Sequence, residues 1–141
     1  MKVVIAIDSF KGSLTSTEAA EAVREGILAA RPDANIVIKP VADGGEGTVD
    51  ALTQNTGAQR IETEVCGPYK EPVVCSYALF SETRTAVIEM AAASGITLTG
   101  KREPLLATSY GTGELIAHAI RKGCRDFIIG IGGSATNDGG T

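Results

Sequence analysis

No apolar run in this 141-residue sequence approaches the about 20 residues needed to span a bilayer. Met1 and Lys2 lead into a short apolar run that stops at Asp8. It is too short for a secretory signal core and lacks a small-residue cleavage pattern. A basic excess is also missing. Lys+Arg number 13 against 17 Asp+Glu, for a net charge of −4, which argues against a nucleic-acid or anionic-membrane surface. Cysteine is scarce: Cys66, Cys75 and Cys124 are odd in number and form no CxxC pair. That suits a reduced cytoplasm better than a disulfide framework. His118 is the sole histidine; with three scattered cysteines it gives no zinc set, and no Ser-His-Asp or Cys-His pair can be argued around it. It lies within a helical pattern and reads as half-buried scaffold or surface.

Glycine is plentiful and uneven. Of 17 glycines, ten fall in three short stretches: Gly44, Gly45 and Gly47; Gly111 and Gly113; and Gly130, Gly132, Gly133, Gly139 and Gly140. The last stretch runs into the final residue, as expected of an N-terminal portion cut within a loop.

Around these stretches the pattern is α/β. Residues 2–8 are a nearly continuous apolar run rich in β-branched side chains, read as a buried parallel strand. Thr15-Ser16-Thr17-Glu18 is a capping box that opens a helix, and Pro32 ends it. A second strand is expected at 35–41 and a glycine-led helix at 44–56, ending at Gly57. Strand–helix–strand–helix at this spacing marks parallel structure. The pattern then changes. Residues 60–66, 73–80 and 85–90 are strand-like with turns between them, so an antiparallel meander and a domain boundary near residue 66 are expected. An Ala-rich patch at 91–93, a loop around Pro104, a helix at 113–122 with Gly123 at its C′ position, and a last strand at 127–131 complete the chain.

Four loops have the composition of ligand sites. Asp8-Ser9-Phe10-Lys11-Gly12-Ser13 lies between a strand end and a helix start, where open α/β sheets bind ligands and helix N-termini attract anions. Asp8 could hold a metal or polarise a hydroxyl; Ser9, Lys11 and Ser13 could bind phosphate or carboxylate oxygens. A plain turn with a solvated lysine would have the same letters. In Asp43-Gly44-Gly45-Glu46-Gly47-Thr48, two carboxylates stand three residues apart among glycines, which suits Mg²⁺ or general-base work. The plainer reading is a tight turn whose Glu46 favours the helix N-terminus. Thr108-Ser109-Tyr110-Gly111-Thr112-Gly113-Glu114 could cradle an anion through Ser109 and Thr112, or simply cap a helix.

The fourth loop, residues 130–140, contains G-x-G-x-x-A after a strand, so a nicotinamide or flavin site is a rival. Asn137-Asp138-Gly139-Gly140 is turn chemistry where the dinucleotide helix would run. Gly132, Gly133, Ser134, Thr136 and Asn137 suit a triphosphate, with Asp138 near Mg²⁺. Gly95 to Lys101 fits G-x₄-G-K, but Arg102 and Pro104 follow it. It reads as a loop with a solvated basic tip.

Together the segments DSFKGSL at 8–14, PVADGGEGT at 40–48, IEMAAASG at 88–95, TSYGTGEL at 108–115 and GIGGSATNDGG at 130–140 resemble the bacterial glycerate kinase family in order and spacing. The resemblance covers the whole chain. Ile7 departs from it, since the family commonly has Pro before the Asp; no reactive group is lost. The family's members are usually well over twice this length.

The resemblance implies ATP-dependent phosphorylation of D-glycerate, with 2-phosphoglycerate expected. It also implies a flavodoxin-like α/β domain into which a second, mixed α/β domain is inserted, residues 1–65 beginning the first and 66–141 part of the second. A fragment of this extent is expected to be inactive alone. Within that reading Lys11 would bind glycerate carboxylate or nucleotide phosphate. Asp43 would be general base or Mg²⁺ ligand with Glu46 supporting, and the 130–140 loop would hold phosphate with Asp138 near the metal. The alternative is a nucleotide- or dinucleotide-binding module without kinase activity.

Overall fold

The computed structural model describes residues 1–10, 12–100 and 103–141. Its first unit is β1 (Lys2–Ile5), α1 (Ser16–Ala30) and β2 (Asn35–Ile38). The two strands pair in parallel from Lys2 opposite Asn35 to Ile5 opposite Ile38. The capping box is present: Thr15 Oγ1 accepts the Glu18 N–H at 3.2 Å, and Glu18 Oε2 accepts the Thr15 N–H at 2.8 Å. Buried Ala19 and Ala20 form the packed face of α1. Both strands are shorter than their apolar runs. β2 supplies ladder partners for four residues only, and beyond them Asp8 turns its carboxylate onto the Ser9 N–H.

α2 spans Thr48–Thr56 and ends at Gly57 as expected, but it starts four residues later than the glycine-led pattern suggests. Gly44 and Gly47 have φ of +92° and +87°, outside helical backbone, so winding begins only at Thr48.

The second sheet has the order β3 (Gln59–Cys66), β4 (Pro72–Phe80), β5 (Thr85–Glu89), β6 (Asp126–Gly130). The first three form the expected antiparallel meander, and β6 joins β5 in parallel. Because β3 pairs along its whole length with β4, the change of sheet falls between Ile38 and Gln59, ahead of residue 66.

Period-2 alternation gives this sheet two buried faces. Ala78 and Val87 face Val49 of α2. Tyr77, Ala86 and Ile88 face Leu115 and Ala119 of α4 (Tyr110–Arg121), with Ala93 of the short α3 (Ala91–Ser94) beside them. Each fully buried Leu or Ile contributes about 1.5–3 kcal/mol. α4 starts three residues earlier than its glycines suggest, for reasons given below, and Gly123 ends it at φ +95°. The crossover from β5 to β6 leaves both strands with their carboxyl ends on one side, where Glu89 stands opposite Gly130.

A candidate phosphate and carboxylate site where the glycine loops cross

The second and fourth glycine loops, 86 residues apart at Gly44 and Gly130, touch backbone to backbone. A Cβ on Gly130 would fall inside the Gly44 carbonyl, and one on Gly132 would press on the Cα and N of Gly45. The Gly132 N–H donates to the Gly44 carbonyl at 3.3 Å. Glycine is needed at 130 because the two main chains could not otherwise approach. The segment after α3 joins them: Ile96 N–H donates to the Gly133 carbonyl and Ala135 N–H to the Ser94 carbonyl, at 2.8 and 2.9 Å. Thr97 Oγ1 donates to Glu46 Oε1. Gly12 of the first loop, Gly45, Glu46, Thr97 and Gly133 line one hollow of about 310 Å³.

The third and fourth loops share a larger hollow of about 820 Å³, lined by Ser109, Ser134, Thr136, Asn137 and Asp138 among others. That volume is in the range of small-molecule sites. Asp138 Oδ2 accepts the Ser109 N–H at 2.7 Å and the Ser109 hydroxyl at 3.0 Å, and Oδ1 accepts the Gly140 N–H at 3.2 Å. The Ser109 N–H bond, more than the others, holds the Asp138 carboxyl below its usual value. Ser134 Oγ lies 3.0 Å from Thr136 Oγ1 and accepts the Thr136 N–H at 3.1 Å.

Several expected donors and acceptors are engaged within the fold. The N–H groups of Gly132, Ala135, Thr136 and Gly140 all have protein acceptors. The hydroxyls are engaged as well, Ser109 with Asp138 and Ser134 with Thr136. Thr112 is buried, with Oγ1 2.9 Å from Ser94 Oγ. Asp43 is exposed and its Oδ1 accepts the Gly45 N–H at 3.0 Å. Ser9 and Ser13 line a third hollow of about 370 Å³ against α2, with Glu46 at its edge. Lys11, Lys101 and Arg102 lie outside the described residues. No helix follows β6 in residues 131–141, so the G-x-G-x-x-A letters lack the helix a dinucleotide site needs.

Asp43 and Asp138 offer oxygen ligands, the donor type of Mg²⁺. Among the described residues no group of three or more His, Cys, Asp or Glu side chains comes together. Each could supply one carboxylate to a Mg²⁺ that takes the rest of its shell from phosphates and water.

Two residues that hold the site were not singled out from sequence. Glu89, buried at the end of β5, accepts the Val49 N–H at 3.2 Å through Oε1. Glu114 Oε2 accepts the Cys66 N–H at 2.7 Å. That bond, with Asp138 on Ser109 and the close seat of Gly111 on the Cys66 carbonyl, draws residues 110–113 into α4. Both glutamates sit in ordinary strand or helix patterns, and only their distant partners mark them. His118 is half-buried as expected, its Nδ1 3.2 Å from Tyr77 Oη, and desolvation, followed by Lys122 and Arg121, lowers its pKa. Cys75 is a core residue whose thiol is pushed up to about 11 by burial and then by Glu114.

A sequence profile of the glycerate kinase family matches residues 3–141. The chain belongs to the glycerate kinase family. It is 54% identical over 142 residues to a glycerate kinase of Bacillus subtilis, covering 99% of this chain and 37% of that protein. It is 52% identical to glycerate 2-kinase of Escherichia coli, again covering 99% of this chain and 37% of the relative. A crystal structure from Salmonella typhimurium LT2, assigned as a glycerate kinase 2, superposes with a TM-score of 0.73 at 50% identity. It covers 100% of this chain and 38% of that one. This glycerate kinase family chain therefore spans little more than a third of the length of these relatives. Its mixed α/β architecture, a parallel pair followed by a mixed four-stranded sheet, agrees with the expected class. No helix among the described residues is long and apolar enough to cross a membrane.

Proposed function

We propose that this chain carries part of the active site of a glycerate kinase, which phosphorylates D-glycerate with ATP to give 2-phosphoglycerate. The observation that carries the reading is the crossing of the second and fourth glycine loops, which brings a carboxylate-bearing loop against a hydroxyl-bearing one at the strand ends. In this reaction a glycerate hydroxyl oxygen forms a bond to the γ-phosphorus. The bond from that phosphorus to the bridging oxygen breaks, and ADP leaves with the electron pair. Asp43 takes the hydroxyl proton as general base. Glu46, bonded to Thr97, keeps the second loop against the segment after α3. One of the paired Ser134 and Thr136 hydroxyls donates to a phosphate oxygen in the larger hollow, while Ser109, whose hydroxyl donates to Asp138, holds that carboxylate in place. Lys11 neutralises the glycerate carboxylate or nucleotide phosphate. Mg²⁺, held through Asp138 or Asp43, supplies charge neutralisation on the phosphates when bound.

The same reading places residues 1–65 at the start of a flavodoxin-like domain and 66–141 within a second, mixed α/β domain inserted into it. It puts the enzyme in the cytoplasm, with Cys66, Cys75 and Cys124 as free thiols.

The test is Asp43→Asn in the full chain, assayed for ADP release with glycerate. Turnover should fall by about 10²–10⁴, the usual worth of a general base, while the thermal midpoint holds. Near-normal turnover defeats the role. Phosphorus NMR of the product distinguishes the 2- from the 3-isomer.

A further inference from the structure

Glu89 is a buried carboxylate in an otherwise apolar strand end, and the reaction above does not use it. We infer that Glu89 is a positioning residue which, with its cross-strand neighbour Gly130, clamps the second glycine loop and so fixes Asp43 and Glu46 for phosphoryl transfer. The inference rests on the glycerate kinase reading.

The carboxylate reaches the first turn of α2. Its Oε1 accepts the Val49 N–H at 3.2 Å, while the Thr48 N–H donates to the Gly45 carbonyl at 3.3 Å. Helix N-termini leave such donors unsatisfied, and a Ser, Thr, Asp or Asn cap normally serves them. Here the cap position is Gly47, which has no side chain to offer. Glu89 does this from 40 residues away. Gly130, opposite Glu89 in the β5–β6 ladder, seats the Gly44 carbonyl where its own Cβ would be. One cross-strand pair thus holds both ends of the stretch from Gly44 to Val49. Glu46 lies inside that stretch, and Asp43 is one residue outside it. Burial raises the Glu89 pKa, opposed by the Val49 bond, and nearby Asp50 raises it further. A carboxylate placed there against its desolvation cost needs that N–H partner. Without it an apolar side chain would fit the strand better.

The experiment compares E89D and E89Q in the full chain. E89Q keeps the reach and one carbonyl oxygen for Val49; E89D keeps the charge and withdraws it by one methylene. In E89D, kcat should fall about tenfold or more with the KM for glycerate changed by less than about threefold, as loss of alignment predicts. Amide exchange at residues 47–49 should accelerate by about tenfold in E89D, while exchange in β3 and β4 is unchanged, marking a local opening. E89Q should stay close to wild type in both readouts.

Unchanged exchange at 47–49 in E89D overturns the clamp, as does faster exchange with unchanged kcat. E89Q as impaired as E89D would assign a role to the charge rather than to position. Uniformly faster exchange, or loss of the fold in E89D, would assign Glu89 to general stability, and each of these results also overturns the proposal. If the wild-type chain does not phosphorylate glycerate, the functional reading fails by itself, and the exchange comparison still decides whether Glu89 holds the loop.

Discussion

The Asp138 carboxylate caps α4 from 29 residues downstream, accepting both the N–H and the hydroxyl of Ser109. The third and fourth loops are therefore one unit held by one carboxylate, and its ionisation matters.

Asp138 should make acid stability depend on its charge. The Ser109 N–H is the chief cause of its lowered pKa, so the unfolded chain binds this proton more readily than the folded one. Its contribution is full above the ordinary Asp value of 3.8 and is lost as pH falls through the lower folded value. Asp138→Asn should lower the thermal midpoint at pH 7 by the equivalent of about 1 kcal/mol, a typical cap. It should also flatten the midpoint-against-pH curve below pH of about 4. A variant with the wild-type acid slope would remove Asp138 from this role.

Two glycines of α4 should respond with opposite sign. A Cβ at Gly111 would collide with the Cys66 carbonyl, whereas one at exposed Gly113 meets nothing within 4 Å. Gly111→Ala should destabilise by about 1–3 kcal/mol through overpacking. Gly113→Ala should stabilise by up to about 1 kcal/mol, since helical glycine costs backbone entropy. Denaturant unfolding of both variants checks the pair, and a neutral Gly111→Ala would disprove the close seat.

The buried Ser94 and Thr112 hydroxyls should show strong coupling. Each is the other's partner at 2.9 Å. Thr112→Val alone strands the Ser94 hydroxyl and should cost about 1–3 kcal/mol, while the double change with Ser94→Ala should cost less than the sum of the singles. Additive costs would mean the two hydroxyls do not depend on each other. If Thr112→Val instead changes KM for ATP without lowering stability, Thr112 faces the ligand after all.

Local chemistry carried much of the fold into the sequence. Thr15 and Glu18 form the box their spacing announces, and Gly123 takes the left-handed backbone expected after a helix. The meander over β3, β4 and β5 follows from apolar runs broken by turn residues. Errors arose where a remote partner decided the outcome. β1 stops at Ile5 because β2 offers no more partners. α4 begins at Tyr110, although Gly111 and Gly113 weaken the helical pattern there, because Asp138, Glu114 and the Cys66 carbonyl hold its first turn. The glycine clusters pointed to the loops that meet, but not to which glycine lies against which. Glu89 gave no signal, since its partner Val49 belongs to another element.

The order of the second sheet also sets an order of assembly. β3, β4 and β5 join through turns of a few residues, but β6 pairs with β5 only after the crossover from residue 90 to 125 has been gathered in. Closing a longer segment costs more chain entropy and slows pairing. Gly130 enters with that strand, and only then can the Gly44 carbonyl find its seat. A nascent chain can thus have most of its sheet in place and still lack the loop crossing, so a chain stalled before β6 would be largely folded and unable to form the candidate site.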